Sequence, residues 1–129
     1  MSENLKIFIV DDDKFLLDMY KVKFKEQGHD VEVSETGAEA LAKLRGGYEP
    51  NVLLLDVVMP DVDGFEMLTA IKKEKLGGDP ALIVLSNQGQ ESDISQAKKL
   101  GADHYIVKAS AVPSEVLEQV IEVSKKHKQ

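Results

Sequence analysis

No cysteine occurs anywhere in the 129 residues, which excludes a disulfide framework and any thiolate chemistry. Three histidines, His29, His104 and His127, are scattered without the spacing of a zinc site, so zinc is not expected. No apolar run approaches the roughly 18 residues of a membrane span, and no charged segment leads into the apolar stretch of a signal peptide. The expectation is a cytoplasmic chain with no membrane partner. Positive charge is the scarcer sign, with 16 Lys and Arg against 23 Asp and Glu and a net charge of −7. That balance disfavours nucleic acid as a direct partner, because phosphate contacts depend on clustered basic residues. The basic tail Lys125, Lys126, His127, Lys128 is read as the last turn of a helix, where cations complement the helix dipole. Repeats and low-complexity segments are absent, and the pairs at Gly46 and Gly77 are loop-sized. With 43% hydrophobic residues, the chain is expected to form one domain over residues 1–129.

What is present is a set of short apolar runs, each ending in polar groups. Val52–Leu55 (VLLL), hemmed by Pro50 and Pro60, is too short for an ordinary helix and reads as a strand buried on both faces, with Asp56 at its end. Leu5–Val10 (LKIFIV) stops at Asp11, Asp12 and Asp13, and Ala81–Leu85 (ALIVL) stops at Ser86. Val31–Ser34 and Asp103–Val107 are further strands, the latter followed by Lys108.

Helical patterns fill the intervals. Lys14–Gln27 places Phe15, Met19 and Val22 at helical spacing, with Leu16, Tyr20 and Phe24 on the adjoining row, and Gly28 as the stop. Asp13 is read as its cap. Ala38–Leu44 is a second helix. Asp63 with Glu66 resembles a capping box opening a third through Phe65, Leu68 and Ile71, with Asp61 as a turn residue. Ser92 or Asp93 caps a fourth carrying Ile94 and Ala97. Pro113 opens a fifth, with Leu117, Val120 and Ile121 on one face and Glu115 in its first turn. The alternation predicts an α/β, doubly wound (βα)5 fold, a parallel five-stranded sheet with helices on both faces. Right-handed crossovers bring all strand C-termini to one rim, so Asp11, Asp12, Asp56, Ser86 and Lys108 converge at the place where open α/β sheets bind ligands.

From Leu5 to about Val123 the chain resembles the receiver domain of response regulators. The resemblance rests on the acidic pair Asp11 and Asp12, on Asp56 in LLLDVVMPDVDG, on Ser86 in VLSN, and on Tyr105 with Lys108 in ADHYIVK. It implies a flavodoxin-like strand order of 2-1-3-4-5, as in the family's chemotaxis members. It also implies a two-component phosphorelay switch, and no enzyme beyond its own phosphorylation and dephosphorylation. Three carboxylates in one pocket call for a cation, and oxygen-only ligands select a hard ion such as Mg²⁺, with Mn²⁺ a further option.

By the family pattern, Asp12 and Asp56 bind the metal directly, Asp11 acts through water, and the backbone carbonyl of Val58 is a ligand. Asp56 is the phosphoacceptor nucleophile, Lys108 neutralises developing charge, Ser86 hydrogen-bonds the phosphoryl group, and Tyr105 is the switch aromatic. Implied partners are a sensor histidine kinase or histidine phosphotransfer protein and a downstream protein target. The latter reads a face formed by the fourth helix, fifth strand and fifth helix.

Two departures from the pattern stand out. Ala109 follows Lys108 where relatives have proline, yet a cis Lys108–Ala109 bond is expected because Lys108 must leave its strand toward Asp56. Asn87 and Gln88 are bulkier than the residues usual after the serine. Among other classes, a haloacid-dehalogenase-like phosphohydrolase needs an acid where Val58 stands. A non-phosphorylated module of the same fold leaves the intact acids and Lys108 without a role. A flavodoxin needs a phosphate-holding loop where three acids lie.

Overall fold

The computed structural model describes residues 4–87, 90–108 and 112–127. Elements alternate as β1 (Lys6–Val10), α1 (Lys14–Glu26), β2 (Asp30–Ser34), α2 (Gly37–Arg45), β3 (Val52–Leu55), α3 (Gly64–Glu74), a 3₁₀ turn (Leu76–Gly78), β4 (Ala81–Ser86), α4 (Glu91–Lys99), β5 (His104–Val107) and α5 (Pro113–His127). All pairings are parallel in the order β2-β1-β3-β4-β5. The expected fold class and strand order therefore hold.

Side chains of successive strand residues point to opposite faces, and the core divides accordingly. Ile7, Ile9, Leu54 and Ile83 pack with Leu17, Tyr20 and Phe24 of α1 and Val116, Leu117 and Val120 of α5. Phe8, Val10, Leu53, Leu55, Leu82 and Val84 pack with α2, α3 and α4 on the other side. β3 is buried at every position, as its unbroken apolar run requires. Each fully buried large side chain contributes about 1.5–3 kcal/mol relative to exposure, so the central strands hold the rim in place.

Helix ends follow the local chemistry, with two differences from expectation. Asp13 caps α1 through Leu16 N–H (3.2 Å), and Asp63 caps α3 through Glu66 N–H (2.9 Å). On α1, Leu17, Tyr20 and Phe24 face the core, whereas Phe15, Met19 and Val22 are 78%, 39% and 60% exposed. Both rows are apolar, and the sheet takes only one. α4 starts at Glu91 with Gln90 at the cap position and no side-chain capping bond, so neither Ser92 nor Asp93 is the cap. The backbone of Gln90 already accepts from Asp93 and Ile94, which sets the start earlier. Asp61 stands in the bend between β3 and α3, as expected of a turn residue, but its side chain also reaches beyond that bend. It bonds the N-terminus of α2 through Gly37 and Ala38 N–H. The basic tail is the last turn of α5, as expected, through Lys125, Lys126 and His127.

Candidate functional site

The rim is built by register. Val10 pairs with Leu55, Leu55 with Val84, and Ser86 with Val107, so the residues that follow these strands emerge side by side. Asp11 N–H donates to the Ser34 carbonyl (3.1 Å) and Asp56 N–H to the Val10 carbonyl (3.0 Å), which extends the ladder one residue past each strand and fixes both carboxylate stems. Ser86 is the fully buried last residue of β4, and Lys108 directly follows β5.

Residues from distant parts of the chain meet there. Lys108 Nζ lies 2.7 Å from Asp11 Oδ2 and 3.0 Å from Asp56 Oδ2. Asp56 Oδ1 accepts from Val58 N–H (3.2 Å), and Asp11 Oδ1 accepts from Asp13 N–H (2.9 Å). Carboxylate oxygens of Asp11, Asp12 and Asp56 all lie within 4.8 Å of one another. Asp11 and Asp56 are buried at 1% and 7% exposure, while Asp12 is exposed and stands at the mouth. The Tyr105 phenol engages the Ser86 hydroxyl across the β4–β5 pairing.

The electrostatics follow from burial and pairing. Burial pushes the Asp11 carboxyl up from its ordinary range, against the lowering effect of the Lys108 ammonium and Asp13 N–H. Burial pulls Lys108 down, but its bonds to Asp11 and Asp56 outweigh this and leave it raised, hence firmly protonated. Burial likewise raises the Tyr105 phenol, with the Ser86 bond opposing. Lys108 offsets one of the three negative charges held by Asp11, Asp12 and Asp56. The remaining two negative charges and the all-oxygen donor set fit a hard divalent cation.

The structure thus brings Asp11, Asp12, Asp56 and Lys108 together, with Ser86 at the end of the adjoining strand and Tyr105 against it. Val58 is joined to the site by its N–H on Asp56, a contact the sequence reading did not foresee, and its side chain is exposed. The direct Asp11–Lys108 pair was also unforeseen, as any of three consecutive acids could have taken that place. The bond to Ala109 and the position of Gln88 lie outside the described residues.

Comparison with known proteins agrees with this arrangement. The family profile of the response regulator receiver domain matches residues 7–122. Response regulator SaeR of Staphylococcus aureus is 33% identical over 102 residues, 79% of this chain and 43% of that protein. The chain therefore spans less than half the length of the curated relatives it matches. Among solved structures, a CheY-like receiver domain protein from Methanospirillum hungatei superimposes with a TM-score of 0.87 at 29% identity, covering 98% of both chains. The receiver domain of Francisella response regulator 1452 gives 0.85 at 30% identity, covering 95% of this chain and 98% of that one. Vibrio cholerae chemotaxis protein CheY4 gives 0.85 at 26% identity, covering 94% and 99%. With its sheet order, its strand-end acids and its lysine all in agreement, the chain belongs to the receiver domain family of two-component response regulators.

Proposed function

We propose that this receiver is a phosphoacceptor switch in which Asp56 takes a phosphoryl group from a histidine kinase or histidine phosphotransfer protein. The observation that carries the reading is the double engagement of Asp56, with Lys108 Nζ on one oxygen and Val58 N–H on the other. This fixes the carboxylate's orientation and supplies positive charge beside it.

An Asp56 oxygen attacks phosphorus, the O–P bond forms, and the N–P bond to the donor imidazole breaks, its electron pair staying on the imidazole nitrogen. Lys108 offsets the charge on the equatorial phosphoryl oxygens. Asp12 and Asp56 would hold Mg²⁺, or Mn²⁺, with Asp11 acting through water and the Val58 carbonyl as backbone ligand. When bound, the ion neutralises phosphoryl charge by Lewis-acid action.

Ser86 then donates to a phosphoryl oxygen and gives up its bond to Tyr105. The freed Tyr105 re-packs and shifts the population of the α4–β5–α5 face that a downstream protein reads. The chain catalyses only its own phosphorylation and dephosphorylation. Val58 stands where a phosphohydrolase of the haloacid-dehalogenase type needs a second acid.

A donor protein must bring its phosphohistidine into bonding distance of Asp56 and so covers the mouth of the site. Phe15 and Met19 on α1, Val58 after β3 and Val112 before α5 are exposed apolar side chains. They supply the apolar contact for such a donor. We place the protein in the cytoplasm, in keeping with the absence, among described residues, of any helix long and apolar enough to cross a membrane. Intact mass after incubation with Mg²⁺ and acetyl phosphate tests the reading. A gain of one phosphoryl group that is lost in Asp56→Asn is expected, and no gain in the wild type contradicts it.

A further inference from the structure

Asp61 lies outside the cluster of Asp11, Asp12 and Asp56, yet it anchors the segment on which that cluster depends. The first three amides of α2 are satisfied from two sources. Glu39 N–H donates to the helix's own cap, Thr36 Oγ1 (3.1 Å). Gly37 and Ala38 N–H donate to Asp61 Oδ1 (3.2 Å) and Oδ2 (2.9 Å), reaching across to the loop between β3 and α3. Two bonds from the two oxygens of one carboxylate fix orientation as well as distance. The Ala38 N–H, with those of Val62 and Gly37, holds the Asp61 carboxyl below the usual carboxylate range, so it is ionised at neutral pH.

The neighbouring contacts show a seat shaped for this loop. A Cβ on Gly37 would meet the Val62 carbonyl oxygen at 2.6 Å and Val62 Cβ at 2.8 Å, so the loop backbone rests directly on the first residue of α2. At the loop's other end, Gly64 N–H donates to the Val57 carbonyl (3.0 Å), and a Cβ on Gly64 would meet the Asp56 carbonyl oxygen and Val57 Cα at 2.6 Å each. The loop is pinned at its base by Gly64 and at its tip by Asp61. Val58, whose N–H holds Asp56 Oδ1, lies between the Val57–Gly64 closure and Asp61.

We infer that Asp61 is a positioning residue for the phosphoacceptor site, clamping the β3–α3 loop to the N-terminus of α2 so that the Val58 backbone is held against Asp56 and the metal. The inference rests on the proposed Mg²⁺ dependence, but its geometric half does not. The bland alternative is that Asp61 only caps α2. Thr36 caps the same helix through Glu39 N–H, with no hydrogen bond to the loop among the described residues, so Thr36→Ala separates the two.

The test uses the whole chain and two readouts, Mg²⁺ affinity by NMR titration and hydrogen exchange of the Val58 amide without metal, with urea stability as a control. Asp61→Ala is expected to weaken Mg²⁺ binding about 10-fold and to speed Val58 exchange, with Asp61→Asn intermediate because one acceptor oxygen remains. Gly37→Ala, which displaces Val62, should move both readouts the same way. Thr36→Ala should lower urea stability and move neither. Wild-type Mg²⁺ affinity and unchanged Val58 exchange in Asp61→Ala, or equal shifts in Thr36→Ala, would overturn the clamp. Failure of the wild type to bind Mg²⁺ would instead refute the proposed metal dependence, and Val58 exchange alone would then decide the clamp.

Discussion

Lys108 Nζ sits closer to Asp11, at 2.7 Å, than to Asp56, at 3.0 Å, so the lysine bridges the first and third strands' acids and belongs to neither alone. The strand register sets two buried carboxylates side by side, and the bridge offsets their mutual repulsion. The pairing gives Lys108 two opposed effects, since it neutralises the pocket and also competes with any cation that enters it.

Lys108→Ala is accordingly expected to retain Mg²⁺ binding, with equal or tighter affinity, while phosphorylation by acetyl phosphate slows about 100-fold. Parallel metal titration and labelling kinetics check this. Loss of Mg²⁺ binding in the variant would mean that the lysine holds the pocket's shape instead of serving the reaction.

Removing the acids one at a time should not be symmetrical. Asp12 stands exposed at the mouth and is assigned a direct ligand role, whereas Asp11 is buried and occupied by Lys108 and Asp13 N–H. Asp12→Ala should therefore weaken Mg²⁺ more than Asp11→Ala does. Equal dissociation constants would refute the assignment.

The exposed row on α1 predicts a difference between donors. Phe15→Asp should slow transfer from a phosphorylated histidine protein at least tenfold, roughly the cost of truncating an interface anchor by more than 1 kcal/mol. Labelling by acetyl phosphate should stay unchanged, because Phe15 is 78% exposed and outside the core. Equal slowing with both donors would place the effect in the site itself.

Two histidines set opposite pH slopes on stability. His127 is drawn down by burial but raised overall by the Asp79 carbonyl and by Asp103, whose oxygens lie 3.0 and 3.3 Å from its two ring nitrogens. A raised folded-state value means stabilisation that is complete below the ordinary 6.5 and lost as pH climbs through the folded value. His29 is buried and its Nδ1 accepts from Leu5 N–H (3.1 Å), so burial lowers it, and its neutral form is lost at a cost as pH falls below 6.5. Urea stability of wild type minus His127→Gln should fall from pH 6.5 to 8, and wild type minus His29→Gln should fall from pH 6.5 to 5. A flat difference in either window would show that the corresponding contact is not made in solution.

The strands and the rim were legible because strands buried on both faces appear in sequence as apolar runs, and every polar residue that ends one had to fall on the same edge. Local signals did less well where they were redundant or long-range. On α1, Phe15, Met19 and Val22 carry the same periodicity as the buried residues, so spacing could not say which row meets the sheet. Ser92 and Asp93 are both good caps, yet the backbone of Gln90 starts α4 before either. Asp61 reads locally as a turn residue, and nothing near it reveals that its partners, Gly37 and Ala38, lie in another helix. Lys108 could be aimed at the rim from sequence, but its division between Asp11 and Asp56 depends on the sub-ångström placement of strand ends.

The central claim is that Asp56 accepts the phosphoryl group in a reaction that needs Mg²⁺. Peptide mapping of the protein after acetyl phosphate treatment, with borohydride reduction to mark the acyl phosphate, tests it most directly. The account predicts modification confined to Asp56 with Mg²⁺ present and none with a chelator. Label on another residue, or equal label on Asp56 without metal, would contradict it.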